Sequence, residues 1–228
     1  MKSFADLSDF LCCWYGCTIA DLQWEDELPE GLNAQTVEYY RRFGQLTHSN
    51  GPFAVRGLPP PLGAQDIITP VEQLSRDEDG TIRLITENQG CWVVVETPDS
   101  DMIWSDLDPV TGDMPQRDGP LHDMYVPITE ALITHTLYET VMSAMDAGNG
   151  IALDEWEAFE LAVNLRGDTI SRRFILPKHD VIEFAKLGEL FGWRWTGETR
   201  FDFLVRKGDR AKGLRSLPYS FGRPQPAK

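Results

Sequence analysis

The run Cys91-Trp92-Val93-Val94-Val95 is apolar at all five positions. It has strand length, and without polar alternation such a strand must be covered on both faces. It therefore predicts a central strand in a sheet, and the flanking segments supply neighbours. Ile82 and Leu84 alternate with Arg83, so 81–87 reads as a strand with one wet face. Segment 66–74 reads as a strand interrupted by Pro70, hence an edge strand or one near a bulge. Met102-Ile103-Trp104 is a further short strand. The turns RDEDG, with Gly80, and Glu87-Asn88-Gln89-Gly90 separate them, so the four segments predict a meander.

Helices flank this sheet in the sequence. Ser3 caps a predicted helix over 4–15, in which Phe4, Leu7, Phe10, Leu11 and Trp14 recur at helical spacing. A second is expected over 30–43, with Leu32, Thr36, Tyr39, Tyr40 and Phe43 on one face and Gly44 as its stop. The stretch 47–65 is rich in Gly and Pro and reads as a stiff surface loop with one short strand at Phe53–Arg56. The strongest helical period runs from Pro127, suited to a first turn, through Ile128, Ala131, Leu132, Leu137, Val141, Met142 and Met145.

Beyond Asn149-Gly150, two capping-box patterns stand before apolar periods: Asp154/Glu157 and Asp180/Glu183. They predict helices closed by Gly167 and Gly192. Trp193, Trp195, Phe201, Phe203 and Val205 alternate about Thr196-Gly197-Glu198-Thr199, as in a β-hairpin. The expected organisation is an α+β domain over 1–148, an α-α-β-hairpin extension over 149–208 packed on it, and a basic tail over 209–228.

The 228 residues carry 21 Lys+Arg against 36 Asp+Glu, a formal charge of −15. Phosphate contacts and anionic membranes both require a cationic face, so this charge opposes nucleic-acid and membrane-surface partners. The charge is uneven: residues 201–228 carry +5 and the first 200 carry −20. No apolar stretch has membrane-span length, and the start, broken by Asp6 and Asp9, does not read as a signal peptide. The expected address is cytoplasmic. There Cys12, Cys13, Cys17 and Cys91 read as reduced thiols serving as small buried apolar groups.

Segment 96–123 holds eight acids against Arg117. Its Asp99, Asp101, Asp106, Asp108, Asp113, Asp118 and Asp123 are the candidate partner-binding residues. Concentrated like charge costs self-repulsion, which a cationic partner relieves; a merely solvated loop is the other reading. An EF-hand fails, because counting from Asp106 the sixth and twelfth positions are Thr111 and Arg117. His135 and Glu139 stand one turn apart, as metal ligands would, but His135 between Leu132 and Tyr138 also reads as a partly buried core histidine. There is no nucleophile elbow, P-loop or dinucleotide-binding glycine pattern. Carboxylates alone leave a hydrolase open, but the expectation is a non-enzyme with no metal or cofactor.

Three pieces in order resemble a known family: Leu28-Pro29 before a helix with Tyr39-Tyr40 and Gly44; the Ile82–Val95 hairpin with Glu87-Asn88-Gln89-Gly90 and Trp92; and Ile103-Trp104 followed by the 127–146 helix. This is similar to the SUKH superfamily, over about residues 20–146. The long loop 47–65 and residues 150–228 depart from its pattern. The resemblance implies a SUKH-like domain with a twisted antiparallel sheet flanked by helices. It also implies, as in bacterial members, a non-catalytic immunity protein that neutralises a cognate nuclease- or deaminase-like toxin by binding it, as a monomer or weak dimer. A regulatory or scaffold module of the same fold is the alternative. Glu87, Asn88, Gln89, Gly90, Trp92 and Trp104 are the family-motif residues. Asn88 and Gly90 also suit a tight reversal, with Gln89 bonding nearby backbone, and Trp92 and Trp104 also read as core aromatics.

Overall fold

The structure is a computed structural model that describes residues 1–54, 61–108, 111, 119–144, 169–173, 181–187, 190–195 and 203–206. Its first sheet is an antiparallel meander in the order β1-β2-β3-β4-β5. The strands are β1 (Asp66–Ile68), β2 (Ile82–Glu87), β3 (Val93–Glu96), β4 (Met102–Ser105) and β5 (His122–Pro127). β3 is central, and Val94 and Val95, which point to opposite faces, are both buried, as the apolar run requires. The predicted 66–74 strand is cut short: Pro70 caps a 3₁₀ turn at Val71–Gln73. The Phe53–Arg56 strand is absent at Phe53 and Ala54, and the rest of it lies outside the described residues.

β5 was not foreseen. Its bulged register against β4 brings Tyr125 to φ 53 and 69% exposure, and Asp123 Oδ1 accepts the Tyr125 N–H at 2.7 Å. A non-glycine residue at positive φ on an edge strand has no apolar periodicity to announce it.

Helix α1 (Phe4–Tyr15) is capped as expected: Ser3 Oγ accepts the Asp6 N–H, and Asp6 accepts the Ser3 N–H. A short α2 (Ile19–Leu22) follows. Helix α3 (Ala34–Thr47) starts and ends later than its pattern suggested, because Asn33 rather than a residue near 30 provides the cap. Gly44 does not stop it. A Cβ there would meet Trp24 Cβ at 2.5 Å, so this glycine lies inside the helix to admit the tryptophan.

Helix α4 (Ile128–Ala144) directly follows Pro127. Leu132, Ile133, Thr134, His135, Thr136 and Leu137 are six consecutive positions at 0% exposure. Six residues span more than one and a half turns, so every face is covered and the helix is not amphipathic. One side packs on β1, β4 and β5, together with α1 and α3. The other meets a second antiparallel sheet, β6-β7-β8-β9.

That second sheet corrects the reading of the C-terminal third. β6 is Thr169–Arg173, β7 Val181–Leu187, β8 Leu190–Trp195 and β9 Phe203–Arg206. The helix expected to begin at Asp180 and end at Gly192 is instead the β7–β8 pair, with Phe184 opposite Trp193 and Ile182 opposite Trp195. Apolar residues three and four apart fit a helix, but β-branched and aromatic side chains pair well across strands. Cover decides the outcome: Phe191 packs on Phe10 at 4.8 Å between ring centroids and on Trp14 at 5.6 Å, and Trp193 packs on Tyr138 at 5.5 Å. The expected pairing of Trp193 with the Phe203 segment is present in β8–β9. The helix expected from Asp154 and the tail 209–228 lie outside the described residues.

Gly44→Ala should lower the free energy of unfolding by about 2 kcal/mol in a urea titration, because overpacking against Trp24 outweighs the helix propensity gained. A stabilised variant would show that Trp24 is not seated there.

Candidate functional site

The meander sorts the acidic candidates by end. β3 ascends to Glu96, residues 97–101 turn, β4 descends to Ser105, and the following segment leads back into β5. Asp99 and Asp101 therefore occupy the upper end of the sheet, while Asp106 and Asp108 occupy the lower. Asp123 lies near the foot of β5, opposite Trp104. Asp113 and Asp118 lie outside the described residues.

Among the described residues the upper end is the more acidic of the two on its exposed surface. Gly80 approaches Pro98, so the Asp77-Glu78-Asp79 turn adjoins the Asp99 turn. Asp77, Glu78, Asp79, Asp99 and Asp101 are all exposed. Beside them the Arg76 guanidinium donates to the carbonyls of Gly80, at 3.0 Å, and Gly31, at 2.5 Å. Asp79 binds its own turn through the Thr81 N–H and hydroxyl, which hold its carboxyl below the usual range. Asn33 Nδ2 donates to the Ser100 carbonyl at 2.9 Å, and buried Glu96 accepts the Asn33 N–H at 3.0 Å and the Thr36 hydroxyl. Those bonds fix the turn carrying Asp99 and Asp101 to the start of α3. Burial raises the Glu96 carboxyl, against the pull of these donors. A groove of about 310 Å³ runs along β1 and β2 beside this end, with Thr69, Gln73, Ser75, Asp77, Arg83 and Thr86 among its lining.

At the lower end the carboxylates hold the fold together. Asp106 Oδ1 accepts the Val93 N–H at 2.9 Å, and Asp108 Oδ1 accepts the Thr111 N–H at 3.0 Å. In the Glu87-Asn88-Gln89-Gly90 turn, Glu87 O accepts the Gly90 N–H at 2.8 Å, and Gly90 has φ 71. The side chain that ties the turn is Glu87, not Gln89: its Oε2 accepts the Gln89 N–H at 2.8 Å and the Cys91 N–H at 3.1 Å. Asn88, Gln89 and Gly90 are exposed. Trp92 is buried, edge-on to His135 at 6.2 Å, and Trp104 is half-buried on the outer face of the sheet.

Behind this end lies a buried polar cluster that linear spacing hinted at as a metal pair. Glu139 receives the Ala64 and Gln65 N–H groups on Oε2, at 2.6 and 3.0 Å, and the Asp66 N–H on Oε1, at 2.7 Å. Its oxygens therefore stitch 64–66 to α4. Among the described residues no group of three or more His, Cys, Asp or Glu is arranged to hold a metal ion. His135 is fully rather than partly buried. Its Nδ1 stands 3.7 Å from Asp66 Oδ2, beyond a hydrogen bond, and burial holds the imidazole down to about 3, hence neutral. Burial, and then Glu87, push the Asp66 carboxyl up to about 7. Burial pushes Glu139 up to about 8, against its three N–H donors.

Spacing along the chain found Asp99 and Asp101 but missed Asp77, Glu78 and Asp79, which join them only through the Gly80–Pro98 approach. It found His135 and Glu139 but missed Asp66, which β1 delivers from far away in sequence. The cysteines also differ from expectation: Cys13 is exposed and Cys12, Cys17 and Cys91 are half-buried.

Both Asp66 and Glu139 titrate above their unfolded values, so the fold favours their protonated forms. That contribution is complete below about pH 4 and is lost as pH rises through about 7 to 8. Stability against urea should therefore fall by on the order of 5 kcal/mol between pH 5 and 8, and Asp66→Asn should flatten the profile. A wild-type profile that rises over that range would contradict the assignment.

No family model, curated protein or solved structure matches this chain.

Proposed function

We propose that this chain is a non-catalytic, SUKH-like immunity protein that neutralises a cognate nuclease- or deaminase-like toxin by direct binding through an acidic surface. The observation that carries the reading is the upper end of the first sheet. There five exposed carboxylates lie on two adjoining turns, beside Arg76, whose guanidinium is tied to backbone carbonyls. Enzymes that act on nucleic acids present cationic clefts, and a fixed acidic edge fits such a cleft as a phosphate mimic. The α+β architecture, with its antiparallel meander and helices, accords with the resemblance carried by Leu28-Pro29, Glu87–Gly90 and Trp92. Among the described residues no helix is long and apolar enough to cross a membrane.

Two of the candidate carboxylates suit this reading better than two others. Asp99 and Asp101 face solvent, whereas Asp106 and Asp108 accept backbone hydrogen bonds. Co-purification with a secreted toxin domain, if a neighbouring gene encodes one, tests the role directly. Stopped-flow association with that domain tests the surface. Asp99→Lys with Asp101→Lys should slow association about tenfold at low ionic strength, and added salt should erase the difference. Asp106→Ala, which removes the acceptor for the Val93 N–H, should chiefly lower stability, leaving the association rate of folded protein near wild type. An unchanged rate in the Lys variant would remove the upper end as the interface; failure to co-purify would remove the immunity role.

A further inference from the structure

The end of α1 brings two thiols together through backbone geometry alone. Gly16, at φ 66, takes the left-handed position past the helix, and the Cys17 N–H reaches back to the Cys12 carbonyl at 3.1 Å. The Gly16 N–H reaches the same carbonyl. Six-to-one closures at a left-handed glycine often bring the side chain after the glycine against the one five residues before it. In most helices that contact is between two apolar groups. Here it is between Cys12 and Cys17, both half-buried and both thiols.

The two side chains act on one another: Cys17 favours the Cys12 thiolate, and Cys12 opposes the Cys17 thiolate. Cys13 is adjacent in sequence but exposed. Asp9 and Asp21 are the acids that face the pair electrostatically.

We propose that Cys12 and Cys17 form a redox-closable dithiol, which a peroxide converts to an intramolecular disulfide that pins the C-terminal end of α1 to the start of the α2 segment. The Cys12 thiolate attacks one peroxide oxygen, the O–O bond breaks, and hydroxide leaves, giving a sulfenic acid at Cys12. The Cys17 thiolate then attacks that sulfur, the S–S bond forms, and the second oxygen leaves as hydroxide. The hydroxides take up the two thiol protons, so two thiols and one peroxide give one disulfide and two waters. Burial raises the Cys12 thiol and Cys17 opposes that rise, whereas Cys17 is raised by every neighbour, so Cys12 is the attacking group. Burial, with the neighbouring thiol and Asp21, pushes Cys17 up to about 12, so closure is slow at neutral pH and quickens as pH rises. A disulfide needs Cα atoms about 4.4–6.8 Å apart, and the shared backbone bond holds Cys12 and Cys17 on one turn.

The test uses the full chain and hydrogen peroxide. At pH 8.5 the intact mass should fall by the two hydrogens lost, with two thiols gone per chain and both restored by dithiothreitol. Chymotrypsin cuts after Trp14 and Tyr15, so non-reduced digests should hold a linked pair of fragments, one carrying Cys12 and the other Cys17. Cys13→Ser and Cys91→Ser should close as wild type does. Cys12→Ser and Cys17→Ser should not close, each accumulating oxygen adducts or intermolecular dimers, with circular dichroism confirming that they fold. The proposal is overturned if closure persists in Cys12→Ser or vanishes in Cys13→Ser. It is equally overturned if wild-type protein gains oxygen without losing the two hydrogens. Toxin binding plays no part in these readings.

Discussion

A helix apolar on every side has to be enclosed on every side, and α4 sets that requirement for the whole chain. Fully burying a leucine or isoleucine side chain stabilises a fold by roughly 1.5–3 kcal/mol, so an uncovered face of this helix would be costly. The five-stranded meander covers one side, with α1 and α3 beside it. That still leaves the face toward Tyr138 open, and the β6–β9 sheet closes it through Trp193, while Phe191 reaches past the helix to Phe10 and Trp14 of α1. The C-terminal third is thus joined to the core of the first part, and Ile182, Phe184, Phe191 and Trp193 belong to the same cluster as Leu132 and Tyr39.

Enclosure also disciplines the polar groups of α4. The Thr136 hydroxyl turns back to the Leu132 carbonyl at 2.7 Å and meets Tyr39 Oη at 2.7 Å; the Thr140 hydroxyl bonds the Thr136 carbonyl at 2.7 Å. Glu139 gathers three N–H groups from Ala64, Gln65 and Asp66, the lead-in and first residue of β1. In a chain of formal charge −15 the acids therefore divide in two. Glu87, Glu96, Asp106 and Glu139 are spent on backbone donors, while others stay exposed, five of them where two turns meet at the top of the sheet. The division matters for function, because a carboxylate already satisfied by backbone has less field to offer a partner.

Local rules carried far where the interactions were local. Ser3 and Asp6 close a capping box three residues apart; Glu87 to Gly90 close a four-residue turn; Val94 and Val95 need cover because each side of a strand faces something. They misled where the deciding neighbour was remote. Gly44 reads as a helix stop until Trp24 is seen to need the space. Val181 to Phe191 reads as a helix until Trp193 and Trp195 stand opposite it. Asp99 to Asp123 reads as one acidic patch until a four-residue strand separates its ends.

By itself the sequence determined the α+β class, the central strand, both ends of α1, the span of α4 to within a few residues and the excess of negative charge. Each of these rests on spacing within a turn or two, or on composition. Only the tertiary structure decided that α4 is enclosed by two sheets, that Asp66 joins Glu139 and His135, and which carboxylates remain in water. Those outcomes depend on groups distant along the chain meeting in space, and burial and hydrogen bonding act on that meeting rather than on sequence separation.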